Sequence, residues 1–293
     1  MLQWKIGAVT ITSVAESEAI TSPRFLFKDM NKDSVSRVAE NHGWLRPHFV
    51  DENGYLLQKI QALVVDTGET SIMVDTCIGN GKTRANPGWS GLDLPFLEDL
   101  AAAGYTPEDI DVVVCTHLHV DHVGWNTRLV EGRWVPTFPN ARYQFARPEY
   151  DHWEASAAAQ SASPGHEDDI FGDSVRPIVE AGLADLVAVD HVICPQVRLE
   201  PTHGHTPGHV SVVIEDGGQR AVITGDMIHT PLQIALPELS SSFDTDPVAA
   251  RATRRAFLAR YADGHTLVIG THFGTPTAGK ISANGDDCWR LDC

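Results

Sequence analysis

The sequence predicts an α/β layered domain, and three observations carry that prediction. Short apolar runs of strand length recur along the chain, helix-like stretches fall between several of them, and four of the runs end just before a side chain able to bind a metal. Strands that alternate with helices indicate layers of both kinds packed on one another. Strand ends are where an α/β sheet delivers functional groups to one edge.

In chain order, VTITSV near the start is strand-like, and ALVVD (62–66) and SIMVD (71–75), joined by TGET, read as a hairpin. LPFLEDLAAAG (94–104) has helical apolar periodicity and a closing glycine. DVVVCT (111–116), RYQFA (142–146), AVITGD (221–226) and TLVIGT (266–271) supply further strands. DPVAARATRRAFLARYADG (246–264) opens with Asp246-Pro247 as cap and first turn and stops at Gly264. Residues 16–60 are irregular, with Phe25, Phe27, Trp44 and Phe49 scattered among charges. Residues 151–187 read as one or two short helices with Pro164-Gly165 and Gly172 as breakers. Either stretch would serve as a lid or a subunit contact.

The chain has 293 residues, 42% of them hydrophobic, enough for a large core in one or two domains. A formal net charge of -17 repels polyanions, which counts against nucleic acid or an anionic membrane surface as the main partner. No apolar run approaches the roughly 18 residues of a membrane span. The five cysteines (77, 115, 194, 288, 293) contain no CxxC pair, and no signal-like start is present, so a reduced, cytoplasmic protein is expected. Cys288 and Cys293 in the terminal DDCWRLDC read as two thiols rather than a bridge.

The run DVVVCT precedes His117, VRLEPT precedes His203 and His205, AVIT precedes Gly225-Asp226, and TLVIGT precedes His272. Four runs with the same ending point to one shared site, which in turn argues for a single domain over 1–293. Packing His117, His119, Asp121 and His122 into THLHVDH is costly unless something pairs with them. Neutral imidazole and carboxylate suit zinc and neighbouring divalent metals. In extended backbone His117 and His119 point the same way, while Asp121 and His122, after a further turn, are free to face a second ion.

HLHVDH resembles the HxHxDH signature of the metallo-β-lactamase superfamily of hydrolases, and THGHTPGH, TGD and GTHF follow in that family's order. The resemblance covers about residues 60–275. It implies a four-layer αββα sandwich, two mixed sheets flanked by helices with the site at one edge. It implies that His117, His119 and His205 hold one metal, that Asp121, His122 and His272 hold a second, and that Asp226 bridges them. Asp75 matches an acidic residue with a supporting role. The pattern departs from the family at Thr202-His203-Gly204-His205, where three histidines, 203, 205 and 209, compete for one ligand position; alignment favours His205, with His209 behind it or in packing and His203 lining the pocket or facing solvent.

Two divalent ions, zinc first and manganese, cobalt or iron next, would lower the pKa of a shared water and supply hydroxide to attack a carbonyl carbon or phosphorus. Asp121 and Asp226 would orient that nucleophile and move its proton. His229, in GDMIH, stands where lactone-cleaving relatives often carry a tyrosine, and is placed to donate to the developing oxyanion or to buttress a ligand. GDMIHTPLQ resembles the branch that includes methyl parathion hydrolase and related hydrolases of aromatic esters. The expectation is hydrolysis of a small ester, lactone or organophosphate, moderately apolar or aromatic, with Trp89, Trp125, Phe243 and Phe273 as candidate pocket residues, Trp125 being equally a candidate for plain core; a homodimer is expected. A nucleic-acid phosphodiesterase, or a non-hydrolytic redox or binding member of the fold, is the alternative. His42, His48, His152, His166, His191 and His265 match no motif and read as surface or structural residues. GNGKT (79–83) lacks the glycine and the following helix of a phosphate-binding loop, and no G-x-S-x-G elbow exists.

Overall fold

Along Leu63, Val65, Ile72 and Val74 every second side chain enters one buried cluster, while Ala62, Val64 and Met73 between them enter another. A strand buried on both faces loses the polar alternation of a surface strand, which is why ALVVD and SIMVD are almost continuously apolar. The computed structural model describes residues 1–161, 169–283 and 288–293.

The strands are β1 (Gln3–Ile6), β2 (Val9–Thr21), β3 (Leu56–Asp66), β4 (Ser71–Val74), β5 (Val112–Cys115), β6 (Thr127–Val130), β7 (Arg133–Pro136), β8 (Arg142–Ala146), β9 (Ala184–Val187), β10 (Val192–Cys194), β11 (Val197–Pro201), β12 (Val210–Asp216), β13 (Gln219–Ile223), β14 (Leu267–Ile269), β15 (Ala278–Ala283) and β16 (Trp289–Asp292). One seven-stranded sheet has the order β1-β2-β3-β4-β5-β8-β9, and a second runs β10 through β16 in sequence. Both are mixed: β4, β5, β8 and β9 pair in parallel, as do β13 and β14, and the remaining pairs in the two sheets are antiparallel.

The helices are α1 (Pro23–Leu26), α2 (Lys32–Asn41), α3 (Phe96–Ala102), α4 (Arg147–Ser161), α5 (Ile170–Ser174), α6 (Arg176–Glu180), α7 (Leu232–Ala235) and α8 (Pro247–Tyr261). Ile11, Leu63 and Val114 of the first sheet share a core with Val212, Ile223 and Ile269 of the second, so the sheets pack face to face. On the outer face of the first sheet Val113 and Tyr143 meet Phe96, Leu100 and Ile178. On the outer face of the second, Val222 and Val268 meet Val35, Leu232 and Phe257. The result is the αββα sandwich that the sequence pattern implied.

Two expectations change. Residues 16–60 are framed by strands: β2 continues to Thr21 and β3 starts at Leu56, paired from Thr10↔Asp66 to Thr21↔Leu56 with a bulge between Ala15 and Ser17. Glu16, Glu18, Lys59 and Gln61 hid that pairing, because the chain there is charged or polar where a core strand would be apolar. In the second irregular stretch the first helix begins earlier, at Arg147, and the stretch ends in an edge strand, β9. The Pro164-Gly165 breaker and His166 lie outside the described residues. Asp246 caps α8 by accepting from Val248 N and Ala249 N, each at 3.0 Å.

Candidate metal centre

β5, β11, β13 and β14 end on the same side of the sandwich, and the loops that leave them bring residues 117 to 272 together. His117, His119, His205 and Asp226 form one donor group, and Asp121, His122 and His272 form a second. Asp226 lies between them. Its Oδ2 is 3.8 Å from His117 Nε2 and 3.7 Å from His205 Nε2, while its Oδ1 is 3.3 Å from His122 Nε2 and 3.0 Å from His272 Nε2. Asp121 completes the second group, with Oδ1 at 3.7 Å from His122 Nε2 and Oδ2 at 3.5 Å from His272 Nε2.

The turn that presents Asp226 requires glycine at 225. Its φ is +56°, and a Cβ would stand 2.6 Å from His209 Nε2. That same nitrogen accepts the Asp226 N–H at 2.9 Å, and His209 Nδ1 is 2.8 Å from Thr202 Oγ1. His209 therefore holds the backbone of Asp226 from behind. His203 belongs to neither donor group.

In His117, His122, His205 and His272 the ring nitrogen that faces away from the groups has a partner, and those partners determine the tautomers. Thr116 Oγ1 donates to Asp75 Oδ2 at 3.0 Å, so at 3.1 Å it accepts from His117 Nδ1 and leaves Nε2 with a bare lone pair. His205 Nδ1 donates to Asp244 at 3.0 Å, with the same consequence. Both lone pairs point at His119 Nδ1, at 3.0 and 2.9 Å, and that atom carries at most one hydrogen. In the second group His122 Nδ1 donates to Asp75 at 2.9 Å and His272 Nδ1 to the Lys59 carbonyl at 2.8 Å, which sets their Nε2 atoms against each other at 3.2 Å. Lone pairs converging in the first group, and imidazoles packed against the Asp226 and Asp121 carboxylates in the second, call for cations. Imidazole and carboxylate donors in two sets joined by one carboxylate fit two divalent ions.

Charge follows the same division. Burial, reinforced by neighbouring imidazoles, holds His117 and His205 well below the ordinary histidine range. Burial acts the same way on His122 and His272, but the Asp226 and Asp121 carboxylates overcome it, and His272 is raised to about 9. Burial would raise Asp226, yet His122, His272 and His229 hold it well below the usual carboxylate range. Asp75 sits at φ 58°, a left-handed conformation unusual for a non-glycine, and aims its carboxylate at both Thr116 and His122.

Above the donors opens a cavity of about 470 Å³ whose walls include Ile20, Phe25, Trp89, Ile170, Phe243 and His229. Phe25 packs edge-on to Trp89 at 6.0 Å and against Phe243 at 5.2 Å. Phe273, expected beside the pocket, is a core residue instead, and Trp125, for which pocket wall and plain core were both open, is core. Trp125 stacks on Phe96 at 5.3 Å and donates its indole N–H to Glu16, and Phe273 is fully buried under the second sheet. Asp244, Glu16 and Glu149 escaped the sequence reading because none belongs to a motif. Lys82 of GNGKT is buried against Thr127 and Asp173. The five cysteines are free, and among the described residues no helix is long and apolar enough to cross a membrane.

The signature of the metallo-beta-lactamase superfamily matches residues 58–272, and the chain belongs to that family. An N-acyl homoserine lactonase from Bacillus sp is 29% identical over 169 residues, a stretch covering 55% of this chain and 57% of that protein. The chain thus spans little more than half the length of the curated relatives it matches. Among solved structures, the hydrolase AbOPH of the beta lactamase superfamily superposes with a TM-score of 0.80 at 26% identity, covering 100% of this chain and 97% of the other. AidC, a dizinc quorum-quenching lactonase, shares the fold with a TM-score of 0.75 at 21% identity, covering 99% and 95%.

Proposed function

We propose that this protein is a metal-dependent hydrolase of a small lactone or ester, with His117, His119 and His205 holding one zinc ion, Asp121, His122 and His272 a second, and Asp226 shared between them. The observation that carries the reading is the Asp226 carboxylate, which turns one oxygen to each donor group. When bound, such a pair of ions polarises a carbonyl and makes water nucleophilic near neutral pH.

The chain's own residues do the rest. Asp121, the most accessible donor of the second group, reaches the cavity and is placed to take a proton from the attacking water. His229 lines the same cavity with Nε2 at 3.3 Å from Asp226 Oδ2, and burial pulls its pKa down to about 3, so it is a neutral imidazole able to donate to a developing oxyanion. Phe25, Trp89 and Phe243 provide the apolar wall that an acyl chain or aryl group would cover. The relatives named as N-acyl homoserine lactonases support lactones as the first class to test.

The deciding experiment offers the zinc-reconstituted protein N-acyl homoserine lactones, aryl esters and phosphotriesters, with His119→Ala as the blank. Ring opening of the lactones, absent in the blank, is expected. A chain that retains two zinc ions and turns over none of the three classes would overturn the reading.

A further inference from the structure

We infer that Glu149 is a positioning residue that straps the two loops of the three-histidine group together, an inference that rests on the proposed metal reading. Glu149 lies in the first turn of α4, outside every motif, and is 1% exposed. Its Oε1 accepts the Leu118 N–H at 3.1 Å, between His117 and His119. Its Oε2 accepts the Gly208 N–H at 2.9 Å, in the loop that carries His205. A single carboxylate thus joins two backbone segments that come from different sheets.

Independent packing supports the same strap. A Cβ at residue 208 would stand 2.2 Å from Glu149 N and 2.6 Å from its Cα, so the loop reaches the helix only because Gly208 is glycine. One turn further along α4, Trp153 donates its indole N–H to Glu149 Oε1 at 2.6 Å and rests its ring on His119 at 5.2 Å. A backbone tie between the loops lies at their base, where Val210 N donates to the Thr116 carbonyl at 3.0 Å. Both oxygens of Glu149 are committed as acceptors. A glutamine offers only one acceptor oxygen and turns an amide hydrogen toward the other N–H, so one arm of the strap must open.

The test is zinc retention. Wild type and Glu149→Gln are loaded with zinc and dialysed against graded chelator, and the zinc per chain is measured beside the unfolding temperature. One of the two ions should leave Glu149→Gln at about 10- to 100-fold lower chelator strength, as for lost support of a ligand, while the other leaves as in wild type. In a His119→Ala background, where the three-histidine group is already incomplete, Glu149→Gln should change the remaining ion by nothing further. Trp153→Phe keeps an aromatic ring beside His119 and removes the N–H with the rest of the indole; it should shift the same ion in the same direction, and it carries the test if Glu149→Gln does not fold. Wild-type release in both variants, or equal loosening of both ions, overturns the inference. A wild-type chain that retains no zinc overturns the metal reading and the inference with it.

Discussion

Lys82, Arg84 and Asp173 form a buried ion cluster in which removing Asp173 and removing Lys82 give very unequal outcomes. Arg84 holds Asp173 in a fork, Nη1 to Oδ2 at 2.6 Å and Nη2 to Oδ1 at 3.0 Å, and Lys82 Nζ lies 3.4 Å from Oδ1. Asp173→Ala strands two cations in the interior, a change that typically costs about 3 to 5 kcal/mol. Lys82→Met is different. Burial, helped by the Arg84 cation and opposed by Asp173, pulls the lysine from 10.5 to about 8. At about 1.4 kcal/mol per unit, holding that ammonium charged in the folded chain costs about 3 kcal/mol at neutral pH.

The sign follows from proton counts. Between pH 8 and 10.5 the folded chain has released the Lys82 proton and the unfolded chain has not, so stability rises with pH across that window. Below it both states are protonated and the full cost is present. Lys82→Met removes that net cost, which already includes the attraction to Asp173, and loses the 2.8 Å bond from its charged amine to Thr127, worth about 1.5 to 3 kcal/mol, so its stability at pH 7 should fall within about 2 kcal/mol of wild type. Urea unfolding of wild type and both variants at pH 7, 8, 9 and 10 checks this. The difference between wild type and Lys82→Met should move by about 2.5 kcal/mol in favour of wild type from pH 7 to 10, because other titrating groups cancel. A difference that stays flat from pH 7 to 10 would refute the reasoning.

Chelation should strip the proposed ions and lower the unfolding temperature, since an ion present at about 1,000 times its Kd contributes about 4 kcal/mol; calorimetry with and without chelator measures it. Asp244→Ala leaves His205 Nδ1 without its acceptor and should weaken zinc binding about 10- to 100-fold by titration calorimetry, with the fold retained by circular dichroism. Phe25→Ala opens the wall shared with Trp89 and Phe243, and should raise KM for long-chain lactones about 5-fold while leaving short-chain substrates nearly unchanged in a kinetic series.

The candidate donors were legible in the sequence because a group of this kind is built from short-range pieces. HLHVDH, THGHTPGH, TGD and GTHF each sit within a few residues of a strand end, and strand ends are visible as the close of an apolar run. What supports those donors was not legible, because it arrives from far along the chain and obeys no spacing. Asp244 comes from 39 residues beyond His205, and Glu149 reaches loops 31 and 59 residues away. Glu16 sits beside the bulge in β2, where it accepts from Ile78 N, Gly79 N and the Trp125 indole. Each is a carboxylate that reads as surface charge in one dimension, and in three it is a buried acceptor satisfied by N–H groups. A buried acidic side chain without such donors would be too costly to keep. The polar residues that break a strand pattern, as in residues 16–18 and 58–61, are therefore where the structure departs most from the sequence reading. They depart for the same reason that Lys82 does not bind a phosphate: the charge answers a partner inside the fold.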